Sequence, residues 1–504
     1  MVDAVLTGSG TRDLLAERAV ATPDRLAVLD ADGGERWTYA ELHATVETVS
    51  GRLVAAGIEA GDRVALLVGT SPDAVRAIHA LLRIGATPVP LDVTRPPAEI
   101  ERRTEVVGAT HLLCVSDTER TALEVARDRP LRTIALSDAD QVTTVETFEQ
   151  VPVPEPERRP ETMFVLFTSG TTGPSQAVRL TARNVQSSAV ASAFRLGVRR
   201  NDRWFCCLPL YHMGGLAPVL RSVIYGTAAV IQAEFDAERT PRATRKHEAT
   251  GISLVPTTLS RIFDAGTELA DSLRFVLLGG AAASQSLLDA CETRGLPVYP
   301  TYGSTETASQ IATATPEEAF QHDGTVGRPL FGTTVRIVDD DGTEQPAGVA
   351  GEIVVDGPTV SPGYLGGDGS AFSPLGLRTG DLGYRDDDGR LYVLGRTDDV
   401  IVTGGENVRA GTVEEVLTEH PAVSDVAVVG VDDPQWGERV AALVVAAADA
   451  ESFRGAEVAV ELREFCRDRL AGFQVPKTIR VAEAIPRTAS GTVDRDTVRE
   501  RLSE

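Results

Sequence analysis

The chain is 504 residues long, 42% hydrophobic and 24% charged. That length allows more than one domain with sizeable cores, and the ordinary apolar fraction excludes a disordered or fibrous chain. Asp and Glu number 73 against 49 Lys and Arg, a net charge of −24, a field that argues against nucleic acid and anionic membrane as partners. Only two of the cations are lysines, Lys246 and Lys477. Self-repulsion of this size destabilises a compact state in dilute salt and is screened in concentrated salt, so a salt-rich cytoplasm is expected. The competing reading is an acidic mesophile with arginine-biased codons. No apolar run approaches the ~18 residues of a membrane span, and the N-terminus lacks the basic and apolar regions of a signal peptide. The cysteines (Cys114, Cys206, Cys207, Cys291, Cys466) form no CxxC pair and read as reduced, buried thiols.

The first half alternates helix-like and strand-like segments. Residues 38–56 carry apolar residues at helical spacing, 63–69 read as a strand, 74–84 as a helix and 87–91 as a strand, the texture of parallel βαβ units. Residues 151–162, rich in proline and charge, read as a surface connector. An apolar strand at 163–167 then runs into a Gly/Thr/Ser cluster. From about residue 328 short β runs (334–338, 352–355) alternate with Gly and Asp turns. A last segment from near Arg396 has strands at 423–431 and 441–446 and helices at 413–418 and 458–470. The expected fold class is α/β, with two parts. One is a large N-terminal domain (1–395) of βαβ subdomains plus a β-rich subdomain. The other is a small mobile α+β C-terminal lid (396–504).

Four stretches carry chemistry. Thr168, Ser169, Gly170, Thr171, Thr172 and Gly173 (TSGTTG) follow a buried strand and offer backbone N–H groups and hydroxyls with little bulk, as wrapping a polyphosphate requires. No Walker A pattern occurs, and a plain surface turn is the bland alternative. In TYGSTETASQ (301–310), Glu306 stands among neutral hydroxyls and could place one carboxylate on a phosphate-bound Mg²⁺. Tyr302 could stack on a base, or the stretch could be a strand-to-helix turn capped by Thr305. Asp381, in RTGDL, reads as a tight-turn carboxylate for ribose hydroxyls. The Gly-rich, charged stretch 395–406 (GRTDDVIVTGGE) reads as a hinge.

In this order the motifs resemble those of the acyl-adenylate-forming superfamily of acyl-CoA synthetases, peptide-synthetase adenylation domains and luciferases. PRTASGTVD (486–494) resembles the last core motif, and the likeness runs from about Leu14 to the C-terminus. Local wording is most similar to the o-succinylbenzoate–CoA ligase family of menaquinone synthesis. It rests on LPLYHMGGLAPVLRSVIYG (208–226), LVPTTLSR (254–261), LLGGAAAS (277–284) and YGSTETASQIAT (302–313). The resemblance implies ATP, Mg²⁺, CoA and a small carboxylic acid. The acid attacks the α-phosphate, and after a lid rotation the CoA thiolate displaces AMP. It further implies that the 168–173 loop holds the β- and γ-phosphates, with Thr168 and Glu306 at Mg²⁺ and Thr305 at the α-phosphate. Tyr302 and Gly303, with Gly280 and Ala281, would enclose adenine. Asp381 would bind ribose beside Arg396. Asp398 would be the hinge, and Gly404, Gly405 and Glu406 would line the CoA tunnel. His212 would gate the acyl pocket, or be a packed histidine after a strand. Gly214 and Gly215 would leave room for a flat aromatic acid, or mark close backbone packing. Arg221 would meet the carboxylate that is not activated, or sit as a plain helix-surface arginine. A homo-oligomer is compatible with the chain.

Two family lysines are absent, replaced by Gln176 and Thr492. The second bridges the acyl carboxylate and α-phosphate, a contact typically worth ~3–4 kcal/mol in the transition state. Arg487 or Arg495 could supply that charge, adenylation could be slow, or the chain could bind nucleotide without turnover. The favoured reading is a working enzyme. Other acyl- or aryl-CoA ligases and a carrier-loading adenylation domain are the remaining alternatives.

Overall fold

The computed structural model describes residues 13–156, 161–168, 175–367, 369–447, 456–487 and 493–503. They divide into two compact units, one of residues 13–168, 176–334 and 356–376, the other of 335–355 and 377–503.

Local signals set the elements of the first unit. The helix Tyr39–Ala55 starts at a reciprocal capping box between Thr38 and Glu41. The next helix, Pro72–Ile84, begins two residues before its expected start. Ser71 caps it, Pro72 occupies the first turn, and Gly85 ends it at φ 88°.

Four short strands form an all-parallel sheet in the order Thr87–Pro90, Arg63–Leu67, His111–Cys114, Arg132–Ala135. A nine-stranded sheet has six adjacent parallel strands at its centre: Val298–Ser304, Phe275–Leu278, Gly251–Leu254, Arg203–Cys206, Ala228–Ile231 and Leu26–Asp30. Antiparallel strands edge it at both ends. From Arg203–Cys206 the chain steps to Ala228–Ile231 on one side and then returns to Gly251–Leu254 on the other. The strand order therefore reverses beside Arg203–Cys206, the topological switch point at which open α/β sheets place ligands. The four central strands Arg203–Cys206, Ala228–Ile231, Gly251–Leu254 and Phe275–Leu278 are covered on both faces, hence their apolar runs.

The second unit holds two sheets. Thr334–Val338, Gly351–Asp356, Gly376–Arg385 and Leu391–Arg396 lie side by side in that order. The other has the order Glu406–Arg409, Val400–Thr403, Gly437–Ala446, Val423–Asp433, with Thr478–Ala482 parallel to Gly437–Ala446. The helices Ala410–Thr418 and Ala456–Arg467 cover one face through Val413, Leu417, Leu462 and Cys466. All five cysteines are buried free thiols. Among the described residues no helix is long and apolar enough to cross a membrane.

The helix Met213–Tyr225 leaves the switch-point loop at very close quarters. A Cβ on Gly215 would lie 2.3 Å from the carbonyl oxygens of both Leu208 and Pro209. Gly215→Ala should therefore cost about 1–3 kcal/mol, measured as a lower Tm. Gly69→Ala, where nothing lies within 4 Å, should leave Tm unchanged.

Candidate active site

The strand Thr162–Phe167 pairs antiparallel with Ala177–Thr181, so the Gly/Thr/Ser loop joins the two strands of a hairpin. Thr168 closes its base: its N–H donates to the Gln176 carbonyl at 3.0 Å and its Oγ1 accepts from the Gln176 N–H at 3.0 Å. Ser169, Gly170, Thr171, Thr172 and Gly173 lie outside the described residues. Gln176 itself is exposed.

The strand Val298–Ser304 carries Tyr302 and Gly303 to its C-terminal end. There Ser304, rather than Thr305, caps a short turn, Thr305–Thr307, with its N–H donated to Thr307 Oγ1 at 3.2 Å. The chain then reverses through Ala308 and Ser309, at φ 52° and 115°, and runs back as Ser309–Thr313. The alternative of a strand-to-helix turn capped by Thr305 gives way to a strand-to-strand reversal. A Cβ on Gly303 would lie 1.8 Å from the Ser309 carbonyl oxygen, so this glycine serves the close strand pairing.

Glu306 is half-buried on that turn. Tyr364 Oη donates to its Oε1 at 3.1 Å, and the Ser361 N–H donates to its carbonyl at 2.7 Å. No hydrogen bond to Oε2 is made among the described residues. Mg²⁺ is commonly held by one or two carboxylates with substrate phosphates supplying the rest. A single carboxylate with one open oxygen fits that ion. No group of three or more His, Cys, Asp or Glu that could hold a metal occurs among the described residues.

Gly280, at φ 83°, and Ala281 follow Phe275–Leu278, the parallel neighbour of Val298–Ser304. The structure thus brings Gly280, Ala281 and Tyr302 to adjacent strand ends.

His212 ends the switch-point loop as the residue preceding the Met213–Tyr225 helix. Thr70 braces the loop, with its hydroxyl between the Leu208 carbonyl at 3.4 Å and the Leu210 N–H at 3.3 Å. Burial holds the imidazole neutral, with its pKa down to about 4. The nearby Asp92 works in the opposite direction, and Arg103 and Arg95 add to the lowering. Its Nε2 is buried with no hydrogen-bond partner among the described residues. Gly214 is exposed, whereas Gly215 is buried and marks backbone packing, not open space for a ligand.

Arg221 is not a surface arginine: it is 2% exposed, among the largest fully buried side chains. Its Nη1 donates to Gln310 Oε1 at 3.0 Å and its Nη2 to Ser188 Oγ at 2.9 Å, with the guanidinium 5.7 Å from the Trp204 ring centroid. No carboxylate pairs with it among the described residues, and burial pushes its pKa down. Gln310 stands opposite Gly303 in the strand pairing, and Ser188 Oγ donates to the Ala308 carbonyl at 2.7 Å. The cation therefore sits beneath the Tyr302–Glu306 turn.

In the second unit Asp381 lies within the strand Gly376–Arg385, not in a tight turn, next to a backbone kink at Gly380, φ 70°. It stands opposite Arg396, whose Nη1 reaches Asp381 Oδ1 at 3.3 Å, so the two are brought together. Asp398 falls in the short turn Thr397–Asp399. Gly404 and Gly405, at φ 62° and 87°, make the two-residue connection of a hairpin before Glu406, a turn that requires glycine-like backbones. Thr492 lies outside the described residues. Arg495 is held by Asp399 at 2.8 Å, Glu414 at 2.9 Å and the Val428 carbonyl at 2.6 Å. Arg487 grips Asp425 through both oxygens at 2.9 Å. Both arginines that could supply the missing lysine's charge are thus already paired with carboxylates.

Sequence reasoning missed Tyr364, which is 58 positions from Glu306 and has no local pattern linking the two. It also missed the charged group Asp92, Arg95, Glu99 and Arg103 beside Tyr211 and His212. The ion pairs Arg95–Glu99 and Glu99–Arg103 are spaced i,i+4, a helical signal that was available.

The AMP-binding enzyme family matches residues 15–365, and the AMP-binding enzyme C-terminal domain matches residues 412–492. The 2-succinylbenzoate–CoA ligase of Bacillus licheniformis is 39% identical over 490 residues, covering 95% of this chain and 98% of that protein. The structure of the Bacillus subtilis o-succinylbenzoate CoA synthetase in complex with its acyl-adenylate intermediate is 34% identical. Its TM-score is 0.87, with 97% of this chain and 98% of that one covered. The same synthetase with ATP and a magnesium ion gives 33% identity and a TM-score of 0.85, over 98% and 99% of the two chains.

The buried histidines make stability pH-dependent. His79 is also held down to about 4 by burial. Both folded values lie below the ~6.5 of an unfolded histidine, so between about pH 6.5 and 4 the unfolded chain binds more protons. Tm should therefore fall as pH drops through that window, and His212→Gln should flatten the fall. A variant curve parallel to that of the unmodified chain would contradict this account.

Proposed function

The chain belongs to the AMP-binding enzyme family, and on that premise we propose that it joins o-succinylbenzoate to CoA through an acyl-AMP intermediate, releasing AMP and pyrophosphate. It is an AMP-forming acid–CoA ligase using ATP, Mg²⁺ and CoA. The observation that carries the choice of acid is Arg221. A buried guanidinium with only neutral partners costs several kcal/mol unless an anion reaches it. An acid with a second carboxylate supplies that anion, and a fatty acid does not. The reading of a nucleotide binder without turnover is not favoured, since the closely similar chains are ligases over nearly their full length.

In the first step the acid's free carboxylate attacks the α-phosphorus in line and pyrophosphate leaves. The 168–173 loop holds the β- and γ-phosphates, Thr305 the α-phosphate, and Tyr302, Gly303, Gly280 and Ala281 the adenine. Glu306 and Thr168 hold Mg²⁺, which supplies charge neutralisation at the phosphates when bound. Asp381 takes the ribose, aligned by Arg396. In the second step the CoA thiolate attacks the acyl carbon and AMP departs. Asp398 is the pivot between the steps, Gly404 to Glu406 guide the pantetheine arm, and neutral His212 borders the acyl group. The chemistry is positioning and charge compensation rather than covalent catalysis.

The surface charge adds a condition. Among the described residues every ion pair uses Arg or His as its cation, while Lys477 lies 3.7 Å over the Trp436 ring. A net charge of −24 is screened over ~10 Å at 0.1 M salt and ~3 Å at 1 M. We read the enzyme as one of a salt-rich cytoplasm.

The test is acid-dependent pyrophosphate release with Mg·ATP in concentrated KCl, comparing o-succinylbenzoate, benzoate and a medium-chain fatty acid, with and without CoA. Selective release with o-succinylbenzoate, and thioester when CoA is added, is expected. No pyrophosphate with any acid, despite ATP binding, contradicts the reading. Rate and Tm should both rise with KCl. Thr492→Lys should speed pyrophosphate release by about 10²-fold while leaving thioester formation from acyl-AMP little changed, since the lost contact acts on adenylation.

A further inference from the structure

Tyr364 belongs to none of the motifs that assign the chemistry, yet its hydroxyl is bonded to the carboxylate assigned to Mg²⁺. Its backbone is pinned on two sides. Toward the turn, the Ser361 N–H donates to the Glu306 carbonyl at 2.7 Å. Toward the strand leaving the phosphate loop, Leu365 N–H donates to the Ala177 carbonyl at 2.7 Å and Arg179 N–H to the Gly363 carbonyl at 3.1 Å. Ser361 Oγ donates to the Arg179 carbonyl at 2.7 Å, and Tyr364 itself bridges to Val178. The phenol ring meets Phe372 edge-on at 5.3 Å and packs over Gly367, where a Cβ would lie 2.9 Å from Tyr364 Cβ.

These contacts leave the hydroxyl little freedom to wander. A half-buried glutamate otherwise has several rotamers, most of which turn both oxygens away from one point. With Oε1 anchored, Oε2 is presented in one direction. We propose that Tyr364 is a positioning residue, a rigid strut from the phosphate-loop strand that sets the metal-holding rotamer of Glu306. This rests on the assignment of Glu306 to Mg²⁺ under the proposed function. Groups that orient metal-binding side chains typically change metal affinity or activity 10–100-fold when removed.

Tyr364→Phe removes the hydroxyl and keeps the ring against Phe372. The Mg²⁺ concentration for half-maximal pyrophosphate release should rise about 10-fold. Calorimetry should show weaker Mg·ATP binding, with AMP binding in EDTA and Tm unchanged. Glu306→Gln should raise the Mg²⁺ requirement further, and adding Tyr364→Phe to it should have no additional effect. Unaltered Mg²⁺ dependence in Tyr364→Phe, with Glu306→Gln altered, overturns the strut. Equal losses of Mg·ATP and AMP affinity also overturn it, because they mean that the tyrosine only supports the fold. Unaltered Mg²⁺ dependence in Glu306→Gln instead overturns the assignment of the carboxylate.

Discussion

The guanidinium of Arg221 lies inside the larger unit, 2% exposed, with two neutral oxygens and the face of Trp204 for company. A charge taken out of water costs several kcal/mol after relaxation, and neutral hydrogen bonds return only part of it. What they do instead is organise a polar string. Gln310 passes its Nε2 to Thr313 at 2.8 Å, and Thr313 meets Thr301 at 2.8 Å. Ser188 reaches on to Ala308, whose left-handed φ of 52° turns the chain. The turn that presents Tyr302, Thr305 and Glu306 thus stands on a cation with no carboxylate partner among the described residues. Supporting the turn is one use of that buried group, and receiving the acid's second carboxylate is the use proposed for it.

Around that base the larger unit gathers its ligand-facing residues at strand ends. The sheet reverses its order beside Arg203–Cys206, and the loop leaving there carries His212. Adjacent strands deliver Gly280 with Ala281, and Tyr302 with Glu306. Rigidity comes from close backbone packing at Gly215 and Gly303 and from hydrogen bonds that tie one segment to another. The segment containing Tyr364 joins the strand Ala177–Thr181 to the Thr305–Thr307 turn, so the proposed phosphate-loop strand and the proposed Mg²⁺ carboxylate share one hydrogen-bonded frame.

Much of this was legible in the chain. Strands showed as continuous apolar runs because both faces of a parallel sheet are covered. Helix starts showed through caps such as Thr38 with Glu41 and Ser71 with Pro72. The Gly404–Gly405 turn showed because a two-residue hairpin connection needs glycine-like backbones, and Gly280 and Tyr302 showed as residues at the ends of neighbouring strands. What escaped was set by distance along the chain. Asp381 read as a turn residue because Gly380 precedes it, yet pairing with Leu391–Arg396 draws it into a strand. Arg221 could equally have been a surface residue, since helical periodicity says nothing about a helix buried all round. Tyr364 had no signal, because its partner is far away in sequence and the bond exists only in the fold.

The most direct test compares kcat/KM for o-succinylbenzoate with that for benzoylpropionate, which keeps the activated carboxylate and lacks the one on the ring, in the unmodified enzyme and in Arg221→Met. A desolvated charge pair broken on one side typically costs 2–5 kcal/mol, roughly 30- to 5,000-fold. The account predicts a preference for the diacid in that range, abolished in Arg221→Met, with a smaller loss for the monoacid that reads the turn support alone. Equal losses for both acids, or an unchanged preference, would contradict it.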